Sequence, residues 1–168
     1  MKTKERSKIG KKNRKSGSDF ERRTRADLES KGWIVDKWSN NVEFQLENLE
    51  TNEKSCGKLI PAKHKFRGKG IPMAMGTGFP DFIAYKFIMG FPEEEDKVLL
   101  CSNGLNISTY EGWEIIGVEC KTNGYLSKEE KEKCKWILEN NIFSKILIAY
   151  KEKEGRKIVV KYKEFKDV

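Results

Sequence analysis

The chain has 168 residues and a mass of 19.5 kDa, with 34 Lys and Arg against 26 Asp and Glu and a formal net charge of +8. That length fits one domain, and a chain near 150 residues buries roughly 68–70% of its unfolded surface, so a core forms without disulfides or metals. No apolar stretch approaches the ~18 residues of a membrane span, and no apolar segment follows the basic N-terminus as in a secretory signal.

The charge is uneven. Residues 1–15 hold eight basic residues and one acid, a net +7, which leaves +1 for the rest of the chain. The segment 1–17 lacks apolar periodicity and ends in Ser16-Gly17, so the sequence predicts a basic, flexible N-terminal arm before a single domain over 18–168. Such an arm points to a polyanionic partner, most often nucleic acid. Its contact candidates are Lys11, Lys12, Arg14 and Lys15, followed by Arg22. A solubilising tail fits the same charge.

Ser18-Asp19-Phe20-Glu21 has the form of a helix capping box, and Phe20, Thr24 and Leu28 then share one helical face. The expectation is a helix over 19–30, closed by Gly32 and followed by a strand from Trp33 to Trp38. Residues 39–57 carry few signals, with Phe44, Leu46 and Leu49 compatible with a short helix or an edge strand. A basic cluster follows at Lys58, Lys63, Lys65, Arg67 and Lys69, broken by Pro61, Gly68, Gly70 and Pro72. It reads as a long basic loop, and loops beyond about 12–15 residues are usually functional or disordered.

Phe79 to Met89 is an apolar run read as a buried strand, and 97–101 as a short strand after an acidic turn. Trp113 to Lys121 alternates: Ile115, Gly117, Glu119 and Lys121 fall on one face, Ile116, Val118 and Cys120 on the other. Ser127-Lys128-Glu129-Glu130 is a second capping box, opening a helix from Lys128 to Asn140. Two β-runs at 146–150 and 157–162 close the chain. The pattern predicts an α/β protein whose central mixed β-sheet is flanked by helices. The cysteines Cys56, Cys101, Cys120 and Cys134 form no metal-binding spacing and are expected to be reduced thiols of a cytoplasmic protein. The only histidine, His64, argues against histidine-rich hydrolase sites. Any catalysis falls to carboxylates and lysines.

Those residues form a recognisable set. Glu119 and Lys121 project from one face of a strand, with Gly117 beside them read as leaving room for an approaching group. Asp81 follows Pro80 at the start of another strand, and if the two strands are neighbours the carboxylates of Asp81 and Glu119 can share a metal. Hard oxygen ligands of this kind suit Mg²⁺. Pro80-Asp81 with Glu119-Cys120-Lys121 resembles the PD-(D/E)xK nuclease superfamily, above all the archaeal Holliday-junction resolvases and the VRR-type nuclease modules. The Gly78-Phe79-Pro80-Asp81-Phe82-Ile83-Ala84 segment, and Glu21 in an N-terminal helix, fit that likeness. It covers roughly 17–38 and 76–162.

The resemblance implies a restriction-endonuclease-like fold and a Mg²⁺-dependent DNA endonuclease, with Mn²⁺ able to substitute. It implies Asp81, Glu119, Lys121 and Glu21 as catalytic residues. The implied metal ligands are Asp81, Glu119, Glu21 and the backbone carbonyl of Cys120, whose side chain reads as core. It also implies a role in DNA recombination or repair, branched DNA as a substrate and homodimers as the acting form. Residues 39–75 stand out as an insertion, and 90–112 lengthens the 38 positions between Asp81 and Glu119. Lys63, Lys65, Arg67 and Lys69 in the insertion are candidate DNA contacts. Glu21 fits equally as the third residue of the Ser18 capping box. A catalytically inactive module that binds DNA or RNA is the alternative reading.

Overall fold

A computed structural model describes residues 2–46, 54–63, 78–90 and 110–166. Helix α1 runs Lys2–Ser30, strand β1 Ile34–Lys37, β2 Asn40–Leu46, β3 Lys54–Pro61, β4 Phe82–Gly90 and β5 Tyr110–Cys120. Helix α2 spans Lys128–Glu139, and β6 (Lys145–Glu154) and β7 (Lys157–Glu164) complete the described chain. The protein is α/β. Five strands form a mixed sheet in the order β1-β4-β5-β6-β7, antiparallel except for the parallel pair β5 and β6. Helix α2 makes the crossover between those two parallel strands, which cannot be joined by a tight turn.

Alternation along the strands builds a core on each sheet face. Ile116 and Val118 of β5 pack with Phe82, Ala84 and Ala149 against Phe20 and Leu28 of α1. Residues of opposite parity, Ile83 and Ile146, lie with Phe79 and Phe143 against Cys134 and Ile137 of α2. The helices therefore cover opposite faces. The predicted face of α1 is right, since Phe20, Thr24 and Leu28 are all buried. Asp27 fixes α1 to β7 by accepting a hydrogen bond from the Tyr162 hydroxyl at 2.6 Å.

Three expectations change. Residues 2–17 are helical, because α1 runs unbroken from Lys2 to Ser30 and Ser18 lies inside it rather than at a cap. Lys, Arg and Glu are good helix formers, and Gly10 and Gly17 each cost only about 1 kcal/mol relative to Ala. Within 39–75, the short helix or edge strand expected around Phe44 and Leu46 is a strand, and β2 and β3 pair antiparallel, with Val42 opposite Leu59. Both side chains pack into the α2-side core, which is what holds this two-stranded sheet. Lys58 thus belongs to a strand rather than to a loop. Finally, Gly117 leaves no room for a ligand. A Cβ there would lie 2.8 Å from both Phe143 and Pro80, so the glycine lets those two rings close over the sheet. The strand expected at 97–101, and Lys65, Arg67, Lys69 and His64, lie outside the described residues.

Candidate functional site

The register places Asp81 at the carboxylate pair. Phe82 of β4 is opposite Val118 of β5, so the next position brings Asp81 beside Glu119. The two residues are cross-tied. The Asp81 backbone N–H donates to Glu119 Oε2 at 3.1 Å, and the Cys120 N–H donates to Asp81 Oδ2 at 2.9 Å. Each carboxylate is thus fixed by the other strand's backbone. The Lys121 ammonium lies 3.1 Å from Glu119 Oε1 and 2.5 Å from Glu130 Oε1. Together with Glu21, Asn41 and Lys133 they line a polar cleft of about 380 Å³ at the carboxyl end of β5.

Burial and charge set the protonation of this group. Glu119 is 5% exposed, and burial, then repulsion from Asp81, push its carboxyl up to about 8. Burial also raises Asp81, aided by Glu21, although the Cys120 amide opposes it. Partial burial disfavours the charged Lys121, but its bonds to Glu130 and Glu119 outweigh that and hold the ammonium above its usual range. Glu130 is lowered, because Lys121 and the Ser127 cap overcome its desolvation. The net picture is two carboxyls that resist being ionised together, with a firmly charged lysine beside them.

The sequence-predicted residues divide as follows. Asp81, Glu119 and Lys121 meet in one place. Glu21 lines the same cleft, but its Oε2 accepts from Lys37 Nζ at 2.5 Å. Its capping role is absent, since it lies mid-helix. The Cys120 side chain faces the α1 core, and burial pushes its thiol up to about 12, as expected of an inert cysteine. Among the described residues no group of three or more His, Cys, Asp and Glu side chains is arranged to hold a metal ion. The pair Asp81 and Glu119 still has suitable chemistry for a divalent cation: two hard oxygen donors, buried together, both raised first by burial, Glu119 then by the charge of Asp81 and Asp81 by that of Glu21.

Of the predicted DNA contacts, Lys11, Lys12, Arg14 and Lys15 are exposed along α1. Lys12 and Lys15 join Arg23 and Lys151 in a separate basic groove of about 320 Å³. Arg22 pairs with Asp19 at 3.2 Å, and Lys63 with Glu43 at 2.7 Å. Sequence reasoning missed Lys37 and the second role of Glu130. Lys37 lies opposite Phe82, one residue from Asp81, a relation that follows from strand register and has no local signal. Glu130 did carry a signal, as the last member of the second capping box, but that pattern names only its bond to the Ser127 amide. Comparisons with protein-family models, with curated proteins and with solved structures found no match.

Proposed function

We propose that the chain is a divalent-metal-dependent nuclease of the PD-(D/E)xK type that hydrolyses DNA phosphodiester bonds in this cleft. The observation that carries the reading is the cross-tied pair of Asp81 and Glu119 with the Lys121 ammonium 3.1 Å from Glu119. A structural ion pair needs one carboxylate per lysine. Here two are held together against their mutual repulsion, which is a cost to folding unless a cation or phosphate chemistry uses them.

Asp81 and Glu119 would hold Mg²⁺ or Mn²⁺, with Glu21 and the backbone at Cys120 beside them. When bound, such a cation supplies charge stabilisation to the phosphate and lowers the pKa of water. The residues of the chain do the rest. Lys121, kept charged by Glu130 and Glu119, orients the attacking water and offsets negative charge developing on the phosphoryl oxygens. Buried Glu119 is fixed by the Asp81 amide, so its oxygens are pre-aligned. Lys133 and Lys37 at the cleft margin add positive potential around an otherwise acidic centre.

The test is cleavage of a panel of linear, flapped and four-way DNA and of RNA, with Mg²⁺, Mn²⁺ or chelator. Metal-dependent cleavage is expected, reduced at least ~100-fold by Asp81→Ala or Lys121→Ala, the scale of a lost charge-stabilising group. Activity surviving both substitutions would remove the assigned site. Binding without cleavage under every condition would favour the inactive nucleic-acid-binding module. Preference for the four-way substrate, with a dimer in sedimentation, would place the protein among resolvase-like enzymes; equal cleavage of linear duplex would exclude junction specificity.

A further inference from the structure

A second cavity, of about 490 Å³, opens behind the turn that carries Lys121, between that turn, α2 and the end of β7. Small-ligand pockets span roughly 300–1,000 Å³, so one nucleotide fits the scale. The floor is apolar, formed in part by Leu126 and Phe165. The rim is basic, with Lys131, Lys163 and Lys166 against the acid Glu164.

Tyr125 stands over this cavity with 74% of its surface exposed. The exposure is built in by the backbone. Gly124 adopts φ +74°, a conformation open to glycine, and its N–H donates to the Lys121 carbonyl at 2.9 Å. The Tyr125 N–H donates to Asn123 Oδ1 at 3.2 Å, and the Lys151 N–H to the Thr122 carbonyl at 3.3 Å. The turn therefore fixes the ring outward, four positions after Lys121. Lys163 Nζ sits 5.1 Å from the ring centroid.

The three lysines of the rim are free to meet an anion, as several exposed lysines elsewhere on the chain are. Lys37, Lys63, Lys121, Lys133, Lys145 and Lys161 all form ion pairs with glutamates. Among the described residues, Lys131, Lys163 and Lys166 enter none. An exposed ring and an excess of positive charge, three lysines against Glu164, around an apolar floor match a ligand that is flat, aromatic and anionic. Base stacking on aromatic side chains, with lysines on the adjoining phosphates, is how unpaired strands are held without sequence preference.

We propose that this cavity is a stacking subsite for an unpaired nucleotide, with Tyr125 on the base and Lys131, Lys163 and Lys166 on the flanking phosphates. The base faces of a closed duplex are not available to such a ring. The ligand is therefore a single strand, or the single-stranded part of a branched or frayed nucleic acid. That the strand held here continues into the Asp81–Glu119 cleft rests on the nuclease reading above.

The subsite can be tested without catalysis. The full chain is titrated, in chelator, into short single-stranded DNA or RNA carrying one 2-aminopurine, and into a duplex of the same length. Binding should quench the fluorophore. Tyr125→Ala should abolish the quench and weaken single-strand binding about ten-fold, within the roughly 5- to 150-fold range of one base stack. Tyr125→Trp should retain both, and duplex binding should not respond to Tyr125→Ala. Lys163→Gln should weaken single-strand binding more than Lys153→Gln, an exposed lysine outside the cavity. Wild-type quench and affinity in Tyr125→Ala would overturn the subsite, and if metal-dependent cleavage persisted the nuclease reading would stand alone. A Tyr125-dependent quench with no cleavage of any substrate would keep the subsite and remove the nuclease. DNA against RNA probes separate the two sugars.

Discussion

Glu119 is the residue on which the chemistry of the site and the stability of the fold meet. Its carboxyl is pushed from the ordinary 4.5 to about 8 by burial and by Asp81. In the unfolded chain it ionises near 4.5. Between those values the folded protein holds a proton that the unfolded chain lacks, so stability falls as pH rises across this window. Asp81 is raised as well and has the same sign. A ten-fold change in proton affinity corresponds to about 1.4 kcal/mol, so the Glu119 shift alone corresponds to a loss on the order of 5 kcal/mol across the window. The melting temperature in chelator should therefore fall steadily from about pH 5 to pH 8, and Glu119→Gln should flatten the decline. Mg²⁺ should raise the melting temperature more at the alkaline end of that window than at the acid end, because a bound cation favours the ionised pair. A flat profile for the unsubstituted protein would show that the pair is not strained. At this scale, Glu119 and Lys121 were legible in the sequence because strand alternation puts both on one face, while Asp81 stood out through the Pro80-Asp81 segment and its family resemblance. Lys37 was not, since its place beside Asp81 depends on pairing between strands far apart in the chain.

The element that does most for the site is α2. Ser127 and Glu130 close a reciprocal cap, with the Glu130 N–H donating to Ser127 Oγ at 3.3 Å and the Ser127 N–H to Glu130 Oε2 at 2.8 Å. The other oxygen of Glu130 holds Lys121. Two substitutions separate these roles. Ser127→Ala should cost about 1 kcal/mol in chemical denaturation, the usual value of a lost N-cap. Glu130→Gln keeps a residue that can close the cap, so its stability loss should be smaller. It removes the charge that keeps Lys121 protonated, so cleavage should drop about ten-fold, below the factor a positioned proton-transfer group contributes because Lys121 itself remains, and the alkaline limb of its pH profile should move to lower pH. An unmoved alkaline limb would mean that Lys121 does not depend on Glu130. Gly117→Ala tests the packing on the face that Glu119 shares. Its methyl meets Phe143 and Pro80, so overpacking of about 1–3 kcal/mol is expected in denaturant melts. Caps and alternating strands are written locally, which is why α2 and β5 could be read. The sheet of β2 and β3 could not, because its stabilising contacts, Val42 and Leu59 against the α2-side core, are tertiary.

For the whole molecule, the distribution of charge decides how a polyanion can approach. The first 15 residues hold a net +7, and α1 presents Lys8, Lys11, Lys12, Arg14 and Lys15 on an exposed helical segment. The acids Glu21, Asp81 and Glu119 gather in the cleft that α1 also reaches. A phosphate backbone attracted by the helix is repelled by that cleft unless a cation or protons neutralise the acids. Binding and chemistry should therefore respond separately to truncation. Removing residues 1–15 leaves Phe20 and Leu28 in the core, each worth roughly 1.5–3 kcal/mol of burial, and leaves Asp27 bonded to Tyr162. The shortened chain should fold. Each phosphate that the lost lysines and arginines neutralised contributes about 0.9 to the slope of log affinity against log salt for duplex DNA. If four of these five residues touch phosphates, the slope should flatten by roughly 3.6. The turnover rate at saturating substrate should stay close to that of the full chain, because none of the lost residues lines the Asp81–Glu119 cleft. An unchanged slope would show that the basic end of α1 does not touch nucleic acid. A slope that flattens together with a lost turnover rate would instead mean that α1 needs its first half to hold Glu21 at the cleft.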